Sequence, residues 1–245
     1  MGVIVPALLV RTRKELEEKL ARVEDIVDTV QIDAVDGNFA SPASWPYGEG
    51  ENDLDVLVRE NKNLPFADQC RIEADLMVES ATVEAVAERW VAAGASRLVF
   101  HIAHEERARA QEILTRVSLR LGYENGLTQN MLSLGLALMP DDDLTAAEPF
   151  LDKIDYVQYM GIAHIGRQGE PFVREVVNRV RSFHARYPTV PVQVDGGVSL
   201  ETAPALLQAG AAYLVIGSGI WESADVAARL HALEDLALRY GTYER

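Results

Sequence analysis

The segment VQVDGGVSLETAPALLQAGAAYLVIGSG, residues 192–219, constrains this chain more than any other. An apolar run over residues 190–194 ends in Asp195 and a glycine pair, Gly196 and Gly197. An amphipathic stretch over residues 199–209 stops at Gly210, and a second apolar run, residues 213–216, ends in Gly217, Ser218 and Gly219. Strand, helix, strand is the unit that joins parallel strands. In a (β/α)8 barrel the loops after strands 7 and 8 form a phosphate site, with backbone N–H groups and a short helix N-terminus aimed at the anion. Glycine is needed there because a Cβ would hold the backbone off the phosphate oxygens. A plain βαβ unit with tight turns would use the same residues, but both glycine turns at this spacing favour phosphate contacts at Gly196, Gly197, Gly217 and Ser218. Asp195 would then sit at the mouth.

The rest of the chain repeats the pattern. Short apolar runs at residues 3–10, 29–34, 72–78, 97–102, 133–139, 156–162, 190–194 and 213–216 alternate with helical patterns at 12–25, 53–61, 82–93, 105–120, 144–150, 171–187, 199–209 and 224–240. About eight strands alternating with helices predict an α/β fold, a single (β/α)8 TIM barrel domain over residues 1–245. A length of 245 residues suits that barrel, for which about 250 is typical. Thr12 and Glu15 have capping-box spacing, and Gly94 and Gly210 stand where a helix end needs positive φ. Residues 37–53, rich in Gly, Pro, Ser and acids, predict a long loop after strand 2, where a barrel enzyme places substrate contacts.

Composition narrows the partners. A net charge of -15 argues against nucleic acid or an anionic membrane surface. The single cysteine, Cys70, excludes an internal disulfide and makes the cytoplasm the expected compartment; preceding an apolar strand, it reads as a buried inert thiol. The first ten residues are apolar but too short to span a bilayer and lack a basic flank, so they read as strand 1. Self-association as a homo-oligomer stays open.

Taken in order, the motifs resemble the ribulose-phosphate 3-epimerase family over nearly the whole length. Its second-strand H-x-D-x-M-D-G-x-F is matched by Gln31-Ile-Asp33-Ala-Val-Asp36-Gly37-Asn-Phe39, and its third-strand D-x-H-L-M-V by Glu73-Ala-Asp75-Leu76-Met77-Val78. Phe100 and His101, Pro140, Met160, Val194-Asp195-Gly196-Gly197 and Gly217-Ser218 complete the correspondence. The resemblance implies a phosphosugar-binding barrel in which a metal, held by two histidines and two aspartates, stabilises an enediolate. The two aspartates, Asp33 and Asp195 here, would take a proton from one face of a sugar carbon and return it to the other. Inversion requires one acid/base group on each face, and the oxyanion requires stabilisation. Met77 and Met160 would form an apolar floor under the substrate.

The departures from that pattern fall on the metal. Gln31 and Asp75 stand where the family has histidines, so its usual zinc or iron site is expected to be lost. Gln31, Asp33, Asp75 and Asp195 would put three carboxylates and an amide at the mouth. A hard cation, Mg²⁺ or Mn²⁺, could offset their repulsion; so could a raised pKa with a shared proton, or an arginine, Arg11 or Arg167. A metal held by His104, His164 and Asp75 is a further arrangement. The glycine-rich sixth loop reads His164-Ile-Gly166-Arg167-Gln168-Gly169, where Gly166 would line the site and Arg167 would grip an anion with a two-pronged guanidinium. Alanine stands at position 7 for the family's serine, and Met139 for its asparagine before Pro140.

Other residues have more ordinary readings. Asp36 would hold the Gly37 turn, His101 would be a satisfied core histidine, and His184 and His231 would be solvated. Trp45 and Tyr47 would cover a sugar ring or seal the second loop. Three functional classes follow. The leading one is an isomerase that epimerises a small phosphorylated sugar through Asp33 and Asp195. A second is a phosphosugar lyase or decarboxylase on the same barrel, against which the missing third-strand lysine counts. A third is a phosphosugar-binding protein without catalysis.

Overall fold

The computed structural model describes residues 2–48, 52–124, 131–166 and 169–242. Eight strands, β1 (Val3–Leu8), β2 (Thr29–Val35), β3 (Arg71–Met77), β4 (Arg97–Phe100), β5 (Ser133–Leu138), β6 (Tyr156–Met160), β7 (Val192–Asp195) and β8 (Tyr213–Ile216), close in chain order into a parallel barrel. Outside it lie α1 (Arg13–Leu20), α2 (Asp53–Arg59), α3 (Val83–Ala92), α4 (Arg107–Leu121), α5 (Val176–Arg186), α6 (Ala203–Ala209), α7 (Ser218–Trp221) and α8 (Val226–Tyr240). The alternation of runs thus closes into the expected α/β barrel.

Strand periodicity sorts the side chains into two cores. Leu8, Ile32, Leu76, Phe100, Leu136, Tyr159 and Leu214 face outward and join the apolar layer beneath the helices. Their neighbours face inward, and register fixes which of them meet: Gln31 pairs with Glu73, Asp33 with Asp75, Glu73 with Arg97, Gln158 with Gln193, and Met160 with Asp195. A slip of one residue would turn this whole set into the apolar layer.

The barrel interior departs from the branched apolar filling usual for this fold. Gln31, Glu73, Arg97, Tyr156, Gln158 and Gln193 are all buried. Small neighbours make room for them: a Cβ on Gly135 would collide with the Tyr156 ring. Strand patterning alone did not announce this polar floor, because Glu73 and Arg97 lie in runs otherwise read as apolar.

Helix boundaries shift where side chains compete for the backbone. Thr12 Oγ1 accepts from Glu15 N at 3.2 Å, but the Glu15 carboxylate reaches Arg11 N instead of closing the capping box on Thr12. Gly94 and Gly210, both at φ +104°, end α3 and α6 as expected. The helix expected at 144–150 is only a 3-10 turn, Glu148–Phe150, because Asp143 Oδ1 captures both the N–H and the hydroxyl of Thr145. The helix expected from 171 begins at Val176, since Val173 N bonds back to Gly161 O at 2.8 Å. The one expected from 199 begins at Ala203, after Ser199 N has turned to Thr202 Oγ1.

Candidate active site

Three inward carboxylates meet at the C-terminal end of the barrel. Asp33 on β2, Asp75 on β3 and Asp195 at the end of β7 all face inward, and each offers an oxygen within 4.8 Å of the others'. All three are buried, so their repulsion is weakly screened. Gln31, one layer down, answers part of it: its Nε2 donates to Asp33 Oδ1 at 2.9 Å and to Asp195 Oδ2 at 3.0 Å. Asp75 has its own donors, His101 Nε2 at 2.7 Å and Gln158 Nε2 at 3.4 Å.

Burial first, and then the Asp75 charge, push the Asp33 carboxyl up to about 7, against the lowering effect of the Gln31 bond. Asp195 is raised well above the ordinary carboxylate range by burial and by the charges of Asp33 and Asp75. Both shifts run in the direction that favours a proton retained between the two carboxyls, one of the arrangements the sequence left open. Arg11 is exposed and lines a different hollow with Glu15 and Pro42. Arg167 lies outside the described residues.

The polar floor is the part of the site that sequence reading missed. Glu73 accepts from Arg97 Nε at 2.6 Å, from Tyr156 Oη at 2.8 Å and from Gln193 Nε2 at 2.5 Å. Burial opposes the Arg97 charge, but the Glu73 carboxylate outweighs it and holds the guanidinium above its usual range. Arg97 also stacks over the Tyr156 and Tyr213 rings at 4.2 and 4.6 Å. A charged pair of residues in consecutive strands, both on the inward parity, was the available signal.

On the β7–β8 side a narrow cleft is lined by Asp33, Asp195, Met77, Met160, Gly166, Gly196, Gly197, Gly217 and Ser218, with Ala7. Gly197 adopts φ +65°, and a Cβ there would strike Phe172. Helix α7 opens at Ser218, where the first N–H groups have no intrahelical acceptor. The sequence-derived catalytic and phosphate residues within the described chain are thus brought to one cavity. Glu170, from the sixth loop, also lines it and receives His164 at 3.3 Å.

The remaining candidates separate into roles. Asp36 holds its turn, accepting from Asn38 N and Phe39 N at 2.8 and 2.7 Å, and it also takes Glu79 N from the loop after β3. Trp45 is buried, bonds Asp53 at 2.7 Å and meets Trp90 edge-on, while the Tyr47 hydroxyl takes the Trp90 N–H: both residues seal the loop. His101 is buried against Asp75, with the Phe39 ring edge 5.8 Å away by centroid. His104 and His164 are exposed and pair with Glu105 and Glu170, so the metal arrangement built on them and Asp75 is not assembled. His184 is half-buried, its ring packing against Gly210. His231 is exposed. Burial raises the Cys70 thiol to about 11, which keeps it protonated and inert.

The donor set does not fit a metal held by two histidines and two aspartates. Gln31 and Asp75 occupy the histidine positions, and Gln31 turns an N–H rather than its oxygen to the acids. An N–H donor cannot ligate a cation. An all-oxygen cation site would have to displace the amide and imidazole donors from all three carboxylates.

The family model described as Ribulose-phosphate 3 epimerase family matches residues 3–221. Ribulose-phosphate 3-epimerase of Schizosaccharomyces pombe is 28% identical over 221 residues, covering 90% of this chain and 87% of its own. That of Aquifex aeolicus is 26% identical over 243 residues, covering 97% and 98%. Among solved structures, 3-hexulose-6-phosphate synthase from Salmonella typhimurium superposes with a TM-score of 0.66 at 15% identity, covering 97% of this chain and 99% of its own, which shows a shared fold. The chain belongs to the ribulose-phosphate 3-epimerase family.

Proposed function

We propose that this member of the ribulose-phosphate 3-epimerase family inverts a carbon next to the carbonyl of a small phosphorylated sugar, with Asp33 and Asp195 as the two acid/base groups. One observation carries the reading. Two carboxyls three strands apart around the mouth, on β2 and β7, share a donor, and the first has a pKa near neutrality. Such a pair holds one proton between two sites, so one member is a base while the other is an acid. That is the starting state for moving a proton from one face of a carbon to the other.

The phosphate would be held by the backbone of Gly196, Gly197, Gly217 and Ser218, and Met77 and Met160 would support the carbon chain over the acids. The enediolate oxygens need donors in place of the family's metal. No step here runs through a cation.

The facing oxygens lie within 4.8 Å, closer than the roughly 6 Å needed for a carbon to contact both in line at near-attack distance. The reacting carbon therefore sits above the two oxygens, or one carboxyl turns away from Gln31 when substrate enters. Solvent deuterium uptake at a carbon of pentose and hexose ketose phosphates tests the reading. Exchange at the carbon next to the carbonyl, lost in Asp33→Asn and Asp195→Asn, is the expected result. A panel without exchange, alongside retained phosphosugar binding, would move the chain to the binding class.

A further inference from the structure

We infer that Arg97 and Gln193 are positioning residues that set the direction of a chain of amides, so that N–H groups and not oxygens arrive at the acids of the mouth. The inference deepens the proton-transfer reading and explains why the residues at the mouth do not form the family's metal site.

The direction begins at a group that can only donate. A guanidinium has five N–H donors and no acceptor. Arg97 Nη2 bonds Gln193 Oε1 at 3.0 Å, so the Gln193 oxygen must face Arg97 and its nitrogen must face away. Glu73, paired with Arg97, can only accept, and it takes Gln193 Nε2 at 2.5 Å. Two independent neighbours therefore fix the same orientation of one amide.

Gln193 passes that direction on. Its Nε2 also lies 2.7 Å from Gln158 Oε1 and 3.3 Å from Gln31 Oε1. The two Nε2 hydrogens serve the shorter contacts, Glu73 and Gln158, so Gln158 spends its oxygen on the floor and presents its nitrogen upward, while the Gln31 oxygen faces the same nitrogen as a third, longer partner. Gln31 Nε2 then meets Asp33 and Asp195, and Gln158 Nε2 meets Asp75. Reversing Gln31 would place its oxygen against the charged member of the aspartate pair and its N–H against the N–H of Gln193. All the amides in this chain are buried, so no water is at hand to relieve such a mismatch. A glutamine whose oxygen would ligate a cation is held in the opposite sense by its neighbours.

Two measurements test this, and neither needs a substrate, so they stand or fall apart from the epimerase reading. Mn²⁺ titration followed by electron paramagnetic resonance compares wild type with Asp75→Asn. Superimposable curves are expected. Wild-type binding more than about tenfold tighter than in Asp75→Asn, a difference of about 1.4 kcal/mol, would overturn the inference. Nitrogen-15 spectra then follow the side-chain NH₂ pair that disappears in Gln31→Leu. Its exchange into deuterium should be at least about tenfold slower in wild type than in Gln193→Met, where the donor that pins the Gln31 oxygen is gone. Equal exchange rates in a folded Gln193→Met would overturn the role of Gln193. If that variant does not fold, the Mn²⁺ comparison still decides.

Discussion

Asp33 and Asp195 are separated by 162 residues of chain yet hang on one nitrogen, Gln31 Nε2, at 2.9 and 3.0 Å. The shared donor lowers the cost of two buried acids without neutralising either, so a proton can reside on one while the other stays charged. Replacing either aspartate by asparagine keeps the volume but removes the proton acceptor. Turnover on the responsive phosphosugar should fall by about 10²–10⁴ in each variant, with substrate affinity nearly unchanged. Steady-state kinetics with a separate binding titration checks this split; an Asn variant at full rate would end the two-aspartate mechanism.

Stability should depend on pH in a sense opposite to that of most salt-bridged acids. Asp33 moves from 3.8 to about 7 on folding, and Asp195 also moves upward. The native state therefore binds protons more tightly than the unfolded chain, and folding stability should fall as pH rises from about 4 through about 7, with Asp195 adding to the fall in the same direction. Asp33→Asn removes this loss and should raise Tm at pH 8 by several degrees, at about 2–4 °C per kcal/mol for a chain of this size. Calorimetry of wild type and variant across pH 5–8 checks it; parallel curves would contradict the raised carboxyl.

The phosphate grip should be separable from the fold. Gly217 lines the cleft just before α7, and Gly217→Val would put a branched side chain where the anion must approach. Phosphosugar binding should be lost while circular dichroism and Tm stay near wild type. Unchanged affinity would remove the basis for a phosphate site at these loops.

Below the site, Arg97→Met should destabilise by about 3–5 kcal/mol, because it strands the buried Glu73 carboxylate. Adding Glu73→Gln should recover most of that loss, since the amide carries no charge to bury. Urea unfolding of the single and double variants measures the difference; a double variant no better than the single would show that the charge was not the cause.

What the sequence made legible follows from which signals are local. The strand–glycine pattern around Asp195 and Gly217 placed the cleft, because turns and periodicity are properties of neighbouring residues. The motif Asp36-Gly37 placed its turn for the same reason. The floor was not legible, since Arg97, Glu73 and Gln193 meet only when a barrel brings β3, β4 and β7 together. Nor could the sequence choose how the three acids are accommodated, because that choice depends on which way the Gln31 amide points. The late start of the helix expected at 144–150 turned on a competing Thr145 bond that helix periodicity does not register.

The Asp36 carboxylate has a mechanical consequence. It is tied to Asn38 and Phe39 in its own loop and to Glu79 in the next. Those ties rivet the second and third loops into one stiff rim, so neither can swing aside alone. Phe39, which leans on His101, can then admit a bulkier guest only by rotating its ring, not by carrying its backbone away. A substrate that reached that side of the mouth would meet one aromatic rotamer rather than a hinged flap.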